Sequence, residues 1–193
     1  MYLFRSFVIL FVIIYTTCSP VLGASGDTTN LISYNIPRLR SAIRLPIFYD
    51  DASVLRFVSR TTPLSNREYA PSDLVTISGS LINEAGRNSQ LRREARDALW
   101  NMAAGFVYDM GSPLTVISGY RSATYQQRLW DLGRCSDSLC APPGYSEHQL
   151  GLAVDLFDAS SEKEFTNNPT YRKYVKWLEE NAYRYGWIQS YQK

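Results

Sequence analysis

The stretch Ser146-Glu147-His148-Gln149-Leu150-Gly151-Leu152-Ala153-Val154-Asp155 decides how this chain is read. Leu152, Val154 and Leu156 alternate with Gly151, Ala153 and Asp155, the period-2 signature of a strand with one apolar face and one small or acidic face. His148 stands at the end of the loop entering that strand, and Asp155 lies on its polar face. Gly151 and Ala153 share this face and leave room, so an imidazole and a carboxylate can converge on a metal ion. Taken alone, the two residues describe a hydrogen-bonded structural pair at least as well. Zinc takes three or four protein ligands, and His148 is the only histidine in the chain.

Working outward, Leu114-Thr115-Val116-Ile117-Ser118 is a β-branched run between Gly111-Ser112-Pro113 and Gly119, and predicts a second buried strand. Before it, Leu91, Ala95, Ala98, Leu99, Met102, Ala103 and Phe106 fall on one helical stripe. They predict an amphipathic helix from Asn88-Ser89 to near Gly111. After it, Ser122 or Thr124 can cap a helix carrying Tyr125, Leu129 and Leu132, with Gln127 as capping-box partner of Thr124 and Gly133 as its end. A Cys/Ser/Pro/Gly loop over 134–146 leads into the His148 segment.

Towards the C-terminus, Asn168 reads as a cap and Pro169 as the first residue of a helix with the stripe Tyr174, Val175, Leu178, Ala182 and Tyr185. Gly186 ends it, and Trp187 to Tyr191 reads as a strand. Helices and strands interleave without a Gly-rich phosphate loop. The expected class is α+β: one domain with a small, largely antiparallel sheet and flanking helices.

At 193 residues and 45% hydrophobic, the chain suits one buried core. The 20 basic and 18 acidic residues are scattered rather than blocked, which argues against a nucleic-acid surface. Arg5, the apolar run from Phe7 to Tyr15 and the small pair Gly23-Ala24 have a signal-peptide layout over 1–23. The run is shorter than a membrane-spanning helix requires, so no membrane span is expected after cleavage, and the product is expected to be a secreted or extracytoplasmic monomer. Cys18 invites a lipoprotein reading, but Thr16 and Thr17 fit that processing site poorly. Residues 24–70 show no sustained periodicity and read as an irregular arm, leaving 71–193 as the folded domain. Cys135 and Cys140, an even pair in an exported chain, predict a small disulfide loop; a zinc knuckle would need two further ligands nearby.

The string from Ser146 to Asp155 resembles the S-x-H-x-x-G-x-A-x-D motif of the VanY-type zinc D,D- and L,D-carboxypeptidases, which trim terminal D-alanine from peptidoglycan stem peptides. A second element of that family is matched by Ser118-Gly119-Tyr120-Arg121-Ser122, with Gln126 at its offset. The resemblance covers the chain from about Pro71 onward. It implies the hedgehog-like carboxypeptidase fold, a zinc ion on His148 and Asp155, and a catalytic, substrate-holding role for Arg121 beside Gln126, Ser118 and Ser146. The expected partner is a stem peptide ending in D-alanine. Independently of any family, a guanidinium at a strand end presents a planar fork suited to a carboxylate or a developing oxyanion.

Relatives carry a Glu and a His in an E-x-x-H or E-x-W-H pattern downstream of a segment like Tyr185-Gly186-Trp187, and this sequence stops at Lys193 before it. The resemblance therefore implies a chain without the catalytic base and the third zinc ligand, which is not expected to catalyse fully by itself. Glu147 and Asp158 are acids near the motif, but neither stands where the family's base does. A strand starting at Trp187 would also lack its next neighbour and leave an apolar edge. Two functions follow: a metallo-carboxypeptidase by descent, or a secreted module that kept the groove for binding and lost the chemistry.

Overall fold

The computed structural model describes residues 7–11, 48–134, 140–157 and 167–190. Cys18, Cys135, Asp158, most of the leader and residues 24–47 of the arm lie outside them. Among the described residues, seven strands and three α-helices form an α+β domain. The strands are β1 (Phe7–Phe11), β2 (Leu74–Thr76), β3 (Ile82–Asn83), β4 (Gln90–Arg92), β5 (Leu114–Ser118), β6 (Ala153–Leu156) and β7 (Trp187–Gln189). The helices are α1 (Arg93–Met110), α2 (Ala123–Asp131) and α3 (Pro169–Asn181). The main sheet runs β3-β5-β6-β1-β7, with β3 and β5 parallel and every other pairing antiparallel, while β2 and β4 form a separate two-stranded ribbon.

Helix α1 provides the core face that its stripe predicts. Ala95, Leu99, Met102, Ala103 and Phe106 are buried, and Gly111 closes the helix in the left-handed conformation with its N–H on the Val107 carbonyl. Its start differs from the expectation. Asn88 takes a left-handed φ of 51°, and Gln90–Arg92 pair with β2, so Leu91 is a buried strand residue and the helix begins at Arg93. The stripe continues through Leu91 by position alone; pairing with Leu74–Thr76 overrides it.

Phe106 packs edge-on against Trp177 and Tyr174 of α3, at centroid distances of 5.2 and 5.0 Å, and Phe157 joins the cluster. Burying an aromatic or Leu side chain of this kind contributes about 2 kcal/mol. Trp177 keeps its ring N–H paired by donating to Asp109 Oδ2 at 2.6 Å. Asn168 caps α3 by accepting from the Thr170 N–H, with Pro169 at the first helical position.

Helix α2 is capped by Ser122, which accepts from the Tyr125 N–H, and Thr124 plays no capping part. Its buried face is not the predicted apolar one. Tyr125 and Leu132 are exposed, and the inward positions are Ala123 and Gln126. Gln126 is tolerated inside because its Nε2 donates to the Ala141 carbonyl at 2.8 Å. Gln127 pairs instead with Asp131, one turn on.

One segment takes a place in the sheet that the sequence reading does not give it. Phe7–Phe11, assigned there to a removable leader, forms the strand between β6 and β7, with Val8 opposite Asp155 and Leu10 opposite Ile188. β7 therefore pairs with β1 on one side and ends the sheet on the other, and Trp187 itself is fully buried. A short run of β-branched and aromatic residues has strand propensity whatever its other fate, and it pairs with both flanking strands.

The described part of the arm is irregular but fixed by its own chemistry. Buried Arg56 pairs with Asp51 at 3.0 Å and donates to the carbonyls of Phe57 and Pro63. Burial opposes ionisation of Asp51, but the backbone N–H groups of Asn66 and Ser65 and the Arg56 guanidinium outweigh it and hold its carboxyl below the usual range.

Candidate active site

The site forms where β5 and β6 lie side by side. Val116 pairs with Leu156 and Ser118 with Asp155, so β5 uses one residue more than β6 over this step. Such a bulge re-aims the side chains at the strand end, and here it sets Ser118 and Arg121 against Asp155. Gly119 follows directly. A Cβ there would run into the Gln90 carbonyl oxygen, the same oxygen that accepts from the Tyr120 N–H at 2.7 Å, so only glycine lets β5 pass β4 this closely.

His148 sits in a 3-10 turn, Glu147–Leu150, ended by Gly151 at φ 66°. Both partners of the turn's carbonyl ladder converge on it: the His148 carbonyl accepts from the N–H groups of Arg121 and Gly151, each at 3.1 Å. The His148 side chain is buried. Its Nδ1 lies 2.7 Å from the Gly119 carbonyl oxygen, and Nε2 lies 3.3 Å from Asp155 Oδ1. A carbonyl only accepts, so Nδ1 carries a proton. Nε2 is then the atom presented to Asp155, and a cation between them, either a proton or a metal ion, makes the juxtaposition favourable.

Asp155 is buried with its second oxygen, Oδ2, ion-paired to Arg121 Nη2, while Arg121 Nε donates to Ser118 Oγ at 3.0 Å. Burial opposes its ionisation, but the charges of His148 and Arg121 prevail and hold the carboxyl below the usual range. The structure thus brings together four of the predicted residues: His148, Asp155, Arg121 and Ser118. Ser118 acts on Arg121, fixing the guanidinium. Ser146 is buried at the start of the His148 turn without capping it by its side chain. Gln126 lies on the α2 side, its amide nitrogen on Ala141. Cys140 is disulfide-bonded, and Cys135 lies outside the described residues.

As zinc donors, His148 and Asp155 fit two positions: one imidazole nitrogen with its tautomer fixed by a backbone carbonyl, and one ionised carboxylate. Among the described residues no group of three or more His, Cys, Asp or Glu side chains is placed to hold a metal. Glu147 turns away from the pair. Its Oε2 accepts from Ser190 Oγ, just past β7, at 2.6 Å. Burial pushes its carboxyl up, against the weaker opposing effects of that hydrogen bond and the His148 charge.

Sequence reasoning missed Gln149, Trp130 and Arg67, which join the loop 140–146 to its neighbours. Trp130 Nε1 donates to the Ala141 carbonyl at 3.3 Å, and Arg67 packs over the Tyr145 ring. The residue Gln149, beside the only histidine, was the signal available for the first of these.

The YodJ protein of Bacillus subtilis is 34% identical to this chain over 148 residues, covering 73% of this chain and 54% of the relative. A D-alanyl-D-alanine carboxypeptidase of Enterococcus faecalis is 40% identical over 91 residues, covering 39% and 32%. The chain thus spans about half or less of the length of the curated relatives it matches. Among solved structures, the LdcB LD-carboxypeptidase, a structure concerned with peptidoglycan recognition, superposes with a TM-score of 0.59 at 32% identity, covering 75% of this chain and 70% of that one. The family model for VanY, D-alanyl-D-alanine carboxypeptidase, matches residues 88–193, which contain β5, the bulge, Arg121, the His148 turn and Asp155. Fold and motif agree with that match, and the chain belongs to the VanY D-alanyl-D-alanine carboxypeptidase family.

Proposed function

We propose that this domain binds zinc through His148 and Asp155 and acts on peptidoglycan stem peptides ending in D-alanine, on the extracytoplasmic side of the cell. The observation that carries the reading is the convergence of His148 Nε2, Asp155 and Arg121 at one strand end, with the His148 tautomer fixed by Gly119. Zinc, when bound, supplies Lewis acidity towards a peptide carbonyl and a water molecule. The chain's own residues hold and orient. Arg121, steadied by Ser118, presents a planar guanidinium to a terminal carboxylate or to an oxygen gaining charge. Asp155 balances that cation from below, so a bound peptide carboxylate would share the guanidinium with it.

A second reading is favoured by one specific observation: among the described residues, only two zinc donors are assembled and Glu147 is engaged with Ser190. On this reading the domain binds stem peptides through Arg121 without cleaving them. One experiment separates the two. Zinc content and D-alanine release are measured for the wild-type protein and for His148→Ala. Stoichiometric zinc and release, both lost in the variant, support the peptidase. Peptide binding that survives His148→Ala, with no release in either protein, supports the binding module.

A further inference from the structure

Gln149 is fully buried one residue beyond His148, and its amide joins the loop at Gly144 to the arm at Arg67 and Tyr69. Oε1 accepts from the Gly144 N–H at 2.8 Å, while Nε2 donates to the carbonyls of Arg67 at 2.7 Å and Tyr69 at 3.0 Å. Every strong hydrogen-bonding direction of the amide except one acceptor lone pair is used, which is how a buried amide is accommodated. The same two segments are held together independently. The Leu64 N–H donates to the Gly144 carbonyl at 2.8 Å. The Arg67 guanidinium carbon lies 4.1 Å from the Tyr145 ring centroid, and Nη2 donates to the Tyr145 hydroxyl at 3.0 Å. Gly144, at φ 81°, has no space for a Cβ because Arg67 packs against it.

The arm from Leu64 to Tyr69 is therefore fixed to the loop that runs directly into Ser146 and His148. Arg67 itself remains exposed, with its guanidinium carbon over an aromatic ring three residues before the site histidine. A pre-oriented guanidinium of this kind pairs with carboxylates at low cost in side-chain entropy.

We propose that Arg67 and Tyr145 form a wall of the peptide-binding groove that selects peptides carrying an acidic residue upstream of the D-alanine end, and that Gln149 is the positioning residue holding this wall against the His148 turn. The proposal rests on the peptide-directed reading above. Its probes are two synthetic peptides ending in D-alanyl-D-alanine that differ only in Glu or Gln upstream, with binding to the intact protein measured by calorimetry. The wild-type protein should prefer the Glu peptide by about fivefold, the strength of an exposed ion pair. Arg67→Ala should abolish the preference, the two peptides then binding with equal affinity. Gln149→Leu should lose the preference and speed hydrogen exchange at the Gly144 amide. Should Gln149→Leu fail to fold, Arg67→Ala still decides, because Arg67 is exposed. Wild-type binding of both peptides without preference, or a preference that survives Arg67→Ala, overturns the wall alone. Wild-type binding of neither peptide overturns the peptide-directed reading and the wall with it.

Discussion

Arg121 and Asp155 form an ion pair at the junction of β5 and β6, and the same carboxylate faces His148 Nε2 through its other oxygen at 3.3 Å. Asp155 is thus the hub of the site, set between the Arg121 guanidinium and the His148 imidazole. Both oxygens are committed before any ligand arrives.

Replacing Arg121 tests that arrangement. Arg121→Met leaves a buried carboxylate with His148 as its remaining partner, and the expected loss of stability is about 3 kcal/mol by urea denaturation. Arg121→Lys should recover part of the stability and little of the peptide binding, because an ammonium cannot reproduce the fork that reaches Ser118 and Asp155 together. Equal stability of the Met variant and the wild type would show that the pair does not form in solution.

Gly119→Ala should destabilise the protein by roughly 2 kcal/mol or more, since the added methyl meets the backbone oxygen of Gln90 and not a movable side chain. Chemical denaturation measures the change. Zinc affinity should fall with it, because the Gly119 carbonyl fixes the His148 ring.

Glu147 gives a pH signature. Its folded-state carboxyl is shifted upward, chiefly by burial, so its contribution to stability is complete in acid below the ordinary Glu range, and declines as pH rises through the shifted value. Glu147→Gln keeps an acceptor for Ser190 and removes the buried charge. Its thermal midpoint should exceed that of the wild type at pH 7, with the difference closing below about pH 4. A variant less stable than wild type at pH 7 would contradict this account.

The fate of Phe7–Phe11 can be read directly. As a removed leader the segment is lost from the mature protein; as strand β1 it is retained between β6 and β7. Protein beginning at Ala24 should melt several degrees lower than the full chain, with faster hydrogen exchange at Val154 to Leu156 and at Ile188 and Gln189. Identical exchange in the two proteins would show that the segment does not contribute a strand.

Much of the site was legible in the sequence because its determinants are local. Period-2 alternation from Gly151 to Leu156 places Asp155 on a strand, a helical stripe places Ala95, Leu99, Met102 and Phe106 inward, and Ser122, Asn168 and Pro169 mark helix starts. The same logic failed where a distant partner set the energy. Leu91 follows the stripe of α1 but belongs to β4, and Gln126 is buried on α2 while Tyr125 and Leu132 are not, since Ala141 supplies the hydrogen bond.

The sequence by itself determined the α+β class, the strand carrying Asp155, the loop carrying His148 and the family motif that links them. Tertiary structure alone decided the β5 bulge that turns Arg121 onto Asp155, the Gly119 carbonyl that fixes the His148 tautomer, the Gln149 clasp on the arm and the strand formed by Phe7–Phe11. Strand alternation and capping are set by interactions within a few residues. Strand pairing and buried polar contacts join segments tens of residues apart, and depend on which partners the folded chain brings within hydrogen-bonding distance.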